Sequence, residues 1–358
     1  VTVIRPDFES LTRSLGEALE EVKAKTSELK NKSLDVIFPM FGPVQVVDEP
    51  AEDVGECAFV GIDKKYWFIV DTFSNSTGGG GYESIKRAMR ENGINKFEFL
   101  LITHWHGDHY GNAIKLMRDG LVGKVYVQDV FRYPNGITGL AGMPATALQR
   151  IYNEHKAAAI QYGVQFETAP VGNIDFHGAN LYFHNNSDYW IKVHNNGTWA
   201  NGDYNNTSIG LLVSYIGRNY LTQGDAREPV MVGFAWDMPT NIDLMKSHHH
   251  SLTNMPWKFK KVKPKDVVIT CNQRQIIQTT RFDYQDNLAS MGSNLYFVAK
   301  QYRDIHITYR AENNSVEYNK ELTHGYPDLC AQTTMSGALN TIYVDPNTRT
   351  DISTGDSA

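Results

Sequence analysis

Three histidines and an aspartate stand in the pattern His104-x-His106-x-Asp108-His109, directly after an apolar run. At the end of an extended strand, alternate side chains point the same way, so the imidazoles of His104 and His106 can hold one cation. The turn that follows brings Asp108 and His109 toward a second. Imidazole and carboxylate suit Zn, Mn or Fe, and with no cysteine in the motif a purely structural zinc site is not indicated. Two such cations about 3.5–4 Å apart would share a hydroxide as nucleophile, with the bound-water pKa drawn toward about 7. The competing reading, histidines set beside an aspartate by chance, is disfavoured by both spacing and strand context.

Elements must deliver these residues. Phe97-Glu-Phe-Leu-Leu-Ile reads as a strand running into the motif. Before it, Val36-Ile-Phe, Gln45-Val-Val, Ala58-Phe-Val-Gly-Ile and Tyr66-Trp-Phe-Ile-Val read as short strands, the last ending at Asp71-Thr72. A polar loop, Ser74 to Gly81, leads to an amphipathic helix from Tyr82 to Glu91 that stops at Asn92-Gly93. Later, Ile209 to Tyr215 and Arg218 to Thr222 form a hairpin around Ile216-Gly217 that ends at Gly224-Asp225. Ile242-Asp-Leu-Met-Lys is a strand ending at His248-His249-His250, an internal run and so no expression tag, and Asp266-Val-Val-Ile-Thr is a further strand. Polar sites at the ends of separate strands are where α/β enzymes place chemistry. Asp225 also reads as a plain turn residue after Gly224, and the histidine run as a polar loop.

The flanks differ in character. From Asp7 to Leu34 the spacing predicts one helix: Phe8, Leu11, Leu15, Ala18, Val22 and Leu29 recur at three- and four-residue steps, with Lys25 interrupting the seam. That alternation fits a coiled-coil stripe, and the helix either meets copies of itself or docks on its own chain. Residues 323 to 337 read as a linker rich in Gly, Thr and Ser. The organisation expected is therefore an N-terminal helix over 1–34, a catalytic domain over 35–322, and a linker with a possible further module over 323–358.

Composition excludes some classes. A net charge of −6 gives no electrostatic case for nucleic acid, because neutralising phosphates needs a basic patch. Three cysteines without close spacing (Cys57, Cys271, Cys330) make neither a disulfide framework nor a thiolate metal site. No apolar run approaches the roughly 20 residues needed to cross a bilayer, so no membrane insertion is expected. The chain opens on Val1 rather than Met and is expected to be a piece of a longer or processed protein.

The His104 to His109 motif resembles the signature of the metallo-β-lactamase superfamily, and further blocks of that pattern follow in order over roughly residues 35 to 318. Ile69-Val70-Asp71-Thr72 resembles the strand end whose aspartate braces the histidine loop from outside the ligand set. Leu221-Thr-Gln-Gly224-Asp225 resembles the strand end whose aspartate bridges both metals. Met245-Lys246-Ser247-His248-His249-His250-Ser251 resembles the segment with two adjacent histidines before Gly-Ser, with His250 where glycine is usual. The resemblance implies an αββα sandwich and a ligand set of His104, His106, Asp108, His109, Asp225 and His249, with His248 as a substrate-facing donor or the two histidines in reversed roles. Gly55-Glu56-Cys57, the run Asn205 to Ile209 and the double histidine are most similar to the branch containing teichoic-acid phosphorylcholine esterases and the hydrolase domains of competence proteins. In that branch the third histidine of the first site is missing; here the matching stretch, Asp203 to Ser208, has none, and His184 and His194 are badly placed to replace it. Finally, Ile342-Tyr-Val-Asp-Pro through Ser357 resembles the opening strand and turn of the β-helix modules of phage tail spikes.

Secondary roles stay open between two readings. Asn206 either caps a turn or reaches a substrate phosphate. Trp105, Tyr110, Phe234, Trp236 and Trp257 are either core or pocket wall, with Trp105 and Trp236 close enough to the metal loops to receive a quaternary ammonium group. The function expected is a two-metal phosphodiesterase acting on a bacterial surface polymer, teichoic acid or polysaccharide, with Asp108 and His248 as catalytic groups. Its setting would be a phage tail or a secreted protein, in the virion or outside the cell, as a homo-oligomer and plausibly a trimer through the N-terminal helix. The alternatives are another hydrolase of the same fold (nuclease, lactonase, sulfatase) and a non-catalytic adhesion module that retains the fold.

Overall fold

Alternation of side chains decides the layers. In β1 (Ser33–Phe38) the even residues Leu34, Val36 and Phe38 enter one apolar cluster, while Ile37 enters another on the opposite face. The same split runs through β2 (Ala58–Ile62) and β3 (Tyr66–Val70), where Val60, Phe68 and Val70 face one way and Phe59, Trp67 and Ile69 the other. Strands apolar on both faces must be covered on both. The computed structural model describes residues 8–40, 55–75, 80–128, 145–184, 204–226, 238–251, 262–270, 288–298, 304–319, 342–344 and 351–353.

Two sheets result. The first has eight strands in the order β15-β14-β1-β2-β3-β4-β5-β6, adding β4 (Leu100–Leu101), β5 (Lys124–Val127), β6 (Gln165–Thr168), β14 (Ile305–Arg310) and β15 (Ser315–Tyr318). The second has seven in the order β13-β12-β11-β10-β9-β8-β7, made of β7 (Gly172–Phe176), β8 (Ala179–His184), β9 (Gly210–Tyr215), β10 (Arg218–Thr222), β11 (Leu244–Lys246), β12 (Asp266–Ile269) and β13 (Asn294–Phe297). The inner faces share one core, with Leu34, Val60 and Phe68 from the first sheet meeting Leu181, Val213 and Leu244 from the second. Outside the first sheet lie α2 (Gly80–Glu91), α3 (Ala113–Arg118) and α4 (Ala145–Tyr162), which contribute Ile85, Leu116 and Ile151 to its outer cluster. Outside the second, Met238, Ile242, Val262 and Leu288 pack on Leu221, Met245 and Val267. This is the mixed α/β two-sheet sandwich that the sequence implied.

Local differences have physical causes. The N-terminal helix α1 (Phe8–Leu29) stops short of Leu34, because Leu34, Val36 and Phe38 alternate with period two and pair with β14 and β2 instead. The strand expected over Phe97–Ile102 is reduced to β4, yet backbone bonds from Ile69 N to Phe99 O, Asp71 N to Leu101 O and Ile102 N to Tyr126 O hold the stretch straight into the His104 to His109 loop. Residues Ile342–Val344 (β16) and Asp351–Ser353 (β17) pair antiparallel as a separate two-stranded sheet. Gln45 to Val47 and the 323–337 stretch lie outside the described residues. Among the described residues no helix is long and apolar enough to cross a membrane.

Candidate metal centre

Parallel strands put their ends at one edge. β3 and β4 are parallel neighbours in the first sheet, and β10, β11 and β12 are parallel in the second, so Asp71, the His104–His109 loop, Asp225, His250 and Thr270 all follow strand C-termini. The sheets are tied together there by Ile209 N donating to Thr103 O at 2.9 Å. Gly224, with φ of +51°, has room only for a hydrogen: a Cβ there would strike the side chain of Thr103. Gly55, with φ of +81°, is equally constrained, since a Cβ would collide with the carbonyl of Asp108. Close approach at both glycines draws the carboxylates of Glu56 and Asp225 up to the histidine loop.

Asp71 organises that loop. Its Oδ1 accepts from Thr103 N at 2.8 Å, and its Oδ2 accepts from Thr103 Oγ1 at 2.7 Å and from His109 Nδ1 at 2.8 Å. Thr72 adds a backbone bond from its N to His109 O at 2.7 Å, and Asn112 Nδ2 donates to Thr72 O at 2.7 Å. With its Nδ1 proton committed to Asp71, His109 turns Nε2 inward, 3.2 Å from Asp225 Oδ2 and 3.4 Å from Asp108 Oδ2. That nitrogen is buried without a hydrogen-bond partner, as is Asp225 Oδ1.

His250 is the mirror case. Its Nδ1 donates to Thr270 O at 2.8 Å, which leaves Nε2 facing Asp108 Oδ2 at 3.2 Å and Asp225 Oδ2 at 3.7 Å. Acceptor nitrogens pointed at carboxylates make a field that calls for positive charge. Against burial, which would lower it, Asp225, Asp108 and Asp71 hold the proton affinity of His109 well above the ordinary range. Asp225 and Glu56 overcome burial in the same way at His250, pushing it up to about 9. On the other side of Asp225, His104 Nε2 lies 3.9 Å from Asp225 Oδ2 and 2.9 Å from His106 Nδ1. Burial, with His109 and His106 beside it, pushes the affinity of His104 well down and keeps it a neutral imidazole.

Two groups able to hold an ion therefore share Asp225. One is His104, His106 and Asp225; the other gathers His109, Asp225 and His250 with Glu56, and Asp108 reaches into it through His109 and His250. The donor chemistry is imidazole and carboxylate, and the buried Nε2 of His109, without a hydrogen-bond partner, faces Asp108 and Asp225 across the space between them, so the residues fit divalent metal ions.

The histidine run is corrected by the structure. The expected ligand His249 stands at the rim, Nε2 3.9 Å from Asp225 Oδ2 and 3.4 Å from Asn205 Nδ2. His248, expected to face substrate, is 0% exposed, its proton affinity lowered by burial and by Lys246. The inward group is His250. The cause is backbone conformation: His249, His250 and Ser251 all take left-handed φ values, 44°, 50° and 67°, which swing the run around and aim its third imidazole at Asp108. This geometry costs non-glycine residues roughly 1–2 kcal/mol each, and the glycine usual at position 250 would adopt it freely.

Of the two readings of Trp105, the structure takes the core. It is 0% exposed and packs its ring among Tyr110, Tyr152, His155 and Phe166 in the outer cluster. Asn206 is buried in the 3-10 turn Tyr204–Thr207, while the ring of Tyr204 lies 5.1 Å from that of His106. His184 is buried on β8 and stands outside both groups. Trp236, Phe234, Trp257 and His194 lie outside the described residues. Glu56 and Lys246 went unrecognised as site residues in the sequence, although a glutamate just before an apolar strand and a lysine at an inward position of β11 were there to be noticed.

Residues 51–147 match the family described as the metallo-beta-lactamase superfamily. The matched stretch holds Glu56, Asp71 and the whole His104 to His109 motif, while Asp225 and His250 lie beyond it. No curated protein matches the chain. Among solved structures, the metallo-beta-lactamase fold protein YhfI from Bacillus subtilis is 9% identical at a TM-score of 0.45, covering 74% of this chain and 96% of that one. Igni18, a metallo hydrolase from the hyperthermophilic archaeon Ignicoccus hospitalis KIN4/I, is 15% identical at a TM-score of 0.41, covering 77% and 99%. The hydrolase AbOPH in the beta lactamase superfamily is 15% identical at a TM-score of 0.37, covering 83% and 96%.

Proposed function

We propose that the chain is a two-metal hydrolase that cleaves a phosphodiester or related ester of a bacterial surface polymer, such as a decorated teichoic acid or polysaccharide. The observation that carries the reading is the pair of imidazole nitrogens, Nε2 of His109 and of His250, turned with Asp108 and Asp225 into one buried space that His104 and His106 approach from the other side. Two divalent ions, Zn or else Mn or Fe, would supply Lewis acidity and an activated water there. Asp71 and Thr270 fix which ring nitrogen of His109 and His250 carries the proton, and so keep both Nε2 lone pairs inward. Asp108 would hold the second ion and orient the attacking water. The first group offers two histidines and Asp225, with Tyr204 and Asn205 standing in the stretch where a third histidine is usual; three protein ligands leave room for a phosphoryl oxygen. At the opening, His249 and Asn205 are placed to meet substrate oxygen, the role first expected of His248.

The flanking elements support a setting in a phage tail or a secreted protein. Leu15 and Val22 on α1 are 68% and 59% exposed, and the heptad spacing of that seam suits other copies of the same helix in a trimer.

Hydrolysis of bis(p-nitrophenyl) phosphate and p-nitrophenyl phosphorylcholine by metal-loaded protein, beside an Asp108→Ala, His109→Ala variant, tests the reading. Chelator-sensitive turnover that the variant lacks is expected. Failure to cleave either compound while the metals are bound would displace the phosphodiesterase reading in favour of another ester class or a binding role.

A further inference from the structure

Two charged side chains that the proposed chemistry does not use lie between the sheets, directly behind the second metal group. On β11 the side chains alternate, Leu244 into the inter-sheet core and Met245 into the outer cluster, so Lys246 returns to the inner side, where it is 2% exposed. Its Nζ contacts Glu56 Oε1, donates to Gly224 O at 3.0 Å and lies 3.8 Å from Asp225 Oδ1. Glu56, also buried, accepts from Thr270 Oγ1 at 3.1 Å. Its carboxylate comes to 3.5 Å from His250 Nδ1 and 3.9 Å from His109 Nδ1.

Those are the outer nitrogens. Each already has a nearer acceptor at 2.8 Å, Asp71 Oδ2 for His109 and Thr270 O for His250, while the ligating Nε2 atoms face the opposite way, toward Asp108 and Asp225. A carboxylate on the Nδ1 side of both rings stands behind the ligands, so Glu56 belongs outside the ligand set although its oxygens come close to it. Lys246 in turn joins three parts of the centre: Glu56, the Gly224 turn that presents Asp225, and the rear oxygen of Asp225 itself.

We infer that Glu56 and Lys246 are a positioning pair for the second metal site, an inference that rests on the two-metal reading above. Glu56 backs the two imidazoles, and Lys246 neutralises Glu56 and pins the Gly224-Asp225 turn. Stability alone does not account for the pair, because two charges taken out of water are commonly replaced by apolar groups at no loss of stability, whereas removing one partner strands the other. Removing both charges together should therefore separate folding from metal binding.

The test is Co²⁺ binding by competition with a chromophoric chelator, alongside the visible spectrum of the cobalt protein and urea unfolding of the metal-free form. The Glu56→Gln, Lys246→Met double variant is expected to unfold at the wild-type midpoint or above and to bind one Co²⁺ normally. It should bind the second 10- to 100-fold more weakly, as losses of outer partners do, with an altered spectrum. Thr270→Val, which removes the hydroxyl held by Glu56 but keeps the carbonyl that holds His250, should weaken the second Co²⁺ alone and by less, and it decides the matter if the double variant does not fold. Two ions bound by these variants with wild-type affinity and spectrum would overturn the inference. A wild-type protein that takes up fewer than two ions would instead overturn the two-metal reading, and this inference with it.

Discussion

At the scale of single residues, the histidine run separates what types and spacing can say from what backbone conformation decides. His104, His106, Asp108 and His109 are local to one strand end, so ligand chemistry and period-two geometry together suffice to group them. His248, His249 and His250 are chemically identical neighbours, and the choice among them falls to three successive left-handed residues that no propensity would suggest. The roles are open to direct measurement. His250→Ala should weaken the second ion by more than about 100-fold, beyond the loss from an outer partner, while His249→Ala should keep both ions and act on turnover. Metal titration of the two variants checks this, and equal metal loss in both would return His249 to the ligand set. Glu56 is harder to assign for a different reason: its type and its place before β2 are visible in the sequence, but only the close packing at Gly55 brings it to the centre.

Among the elements, apolar strands were the most legible. β2 and β3 begin and end where their residues say, because strands covered on both faces read as short continuous apolar runs, and β10 does so through the Ile216-Gly217 turn that precedes it. The join between α1 and β1 differs from the expectation because the polar residues after Leu29 carry no strong helix stop, while Leu34, Val36 and Phe38 already alternate with period two. β1 also carries a buried acid. Asp35 accepts from Thr308 Oγ1 at 2.6 Å, Ser33 Oγ at 2.7 Å and His306 Nε2 at 3.0 Å, joining β1 to β14. Burial alone would raise its pKa, yet His306, Thr308 and Ser33 together bring it below the ordinary value. A depressed folded-state pKa contributes stability that is present above the unfolded value of 3.8 and lost as pH falls through the lower folded one. Asp35→Asn should therefore cost about 2 kcal/mol near neutral pH, and the difference from wild type in urea unfolding of the metal-free protein should hold steady down to that value and narrow below it. A difference that widens in acid would contradict the assignment.

For the whole molecule, a sandwich with both sheets ending at one edge explains why the candidate centre needs residues spread from Glu56 to Thr270. It also leaves α1 outside the sandwich with Leu15, Leu19 and Val22 exposed. If that seam joins copies, wild-type protein should sediment as an oligomer, and Leu15→Glu with Val22→Glu should yield monomers that keep their metal ions; a wild-type monomer would remove α1 as an assembly element. The central claim is that one aspartate, Asp225, joins two ion-binding groups. Counting bound metal by elemental analysis in wild type and in Asp225→Asn tests it most directly. Two ions per chain in the wild type, with both weakened by the one substitution, is the predicted result; a single ion in the wild type, or two ions undisturbed in the variant, would contradict it.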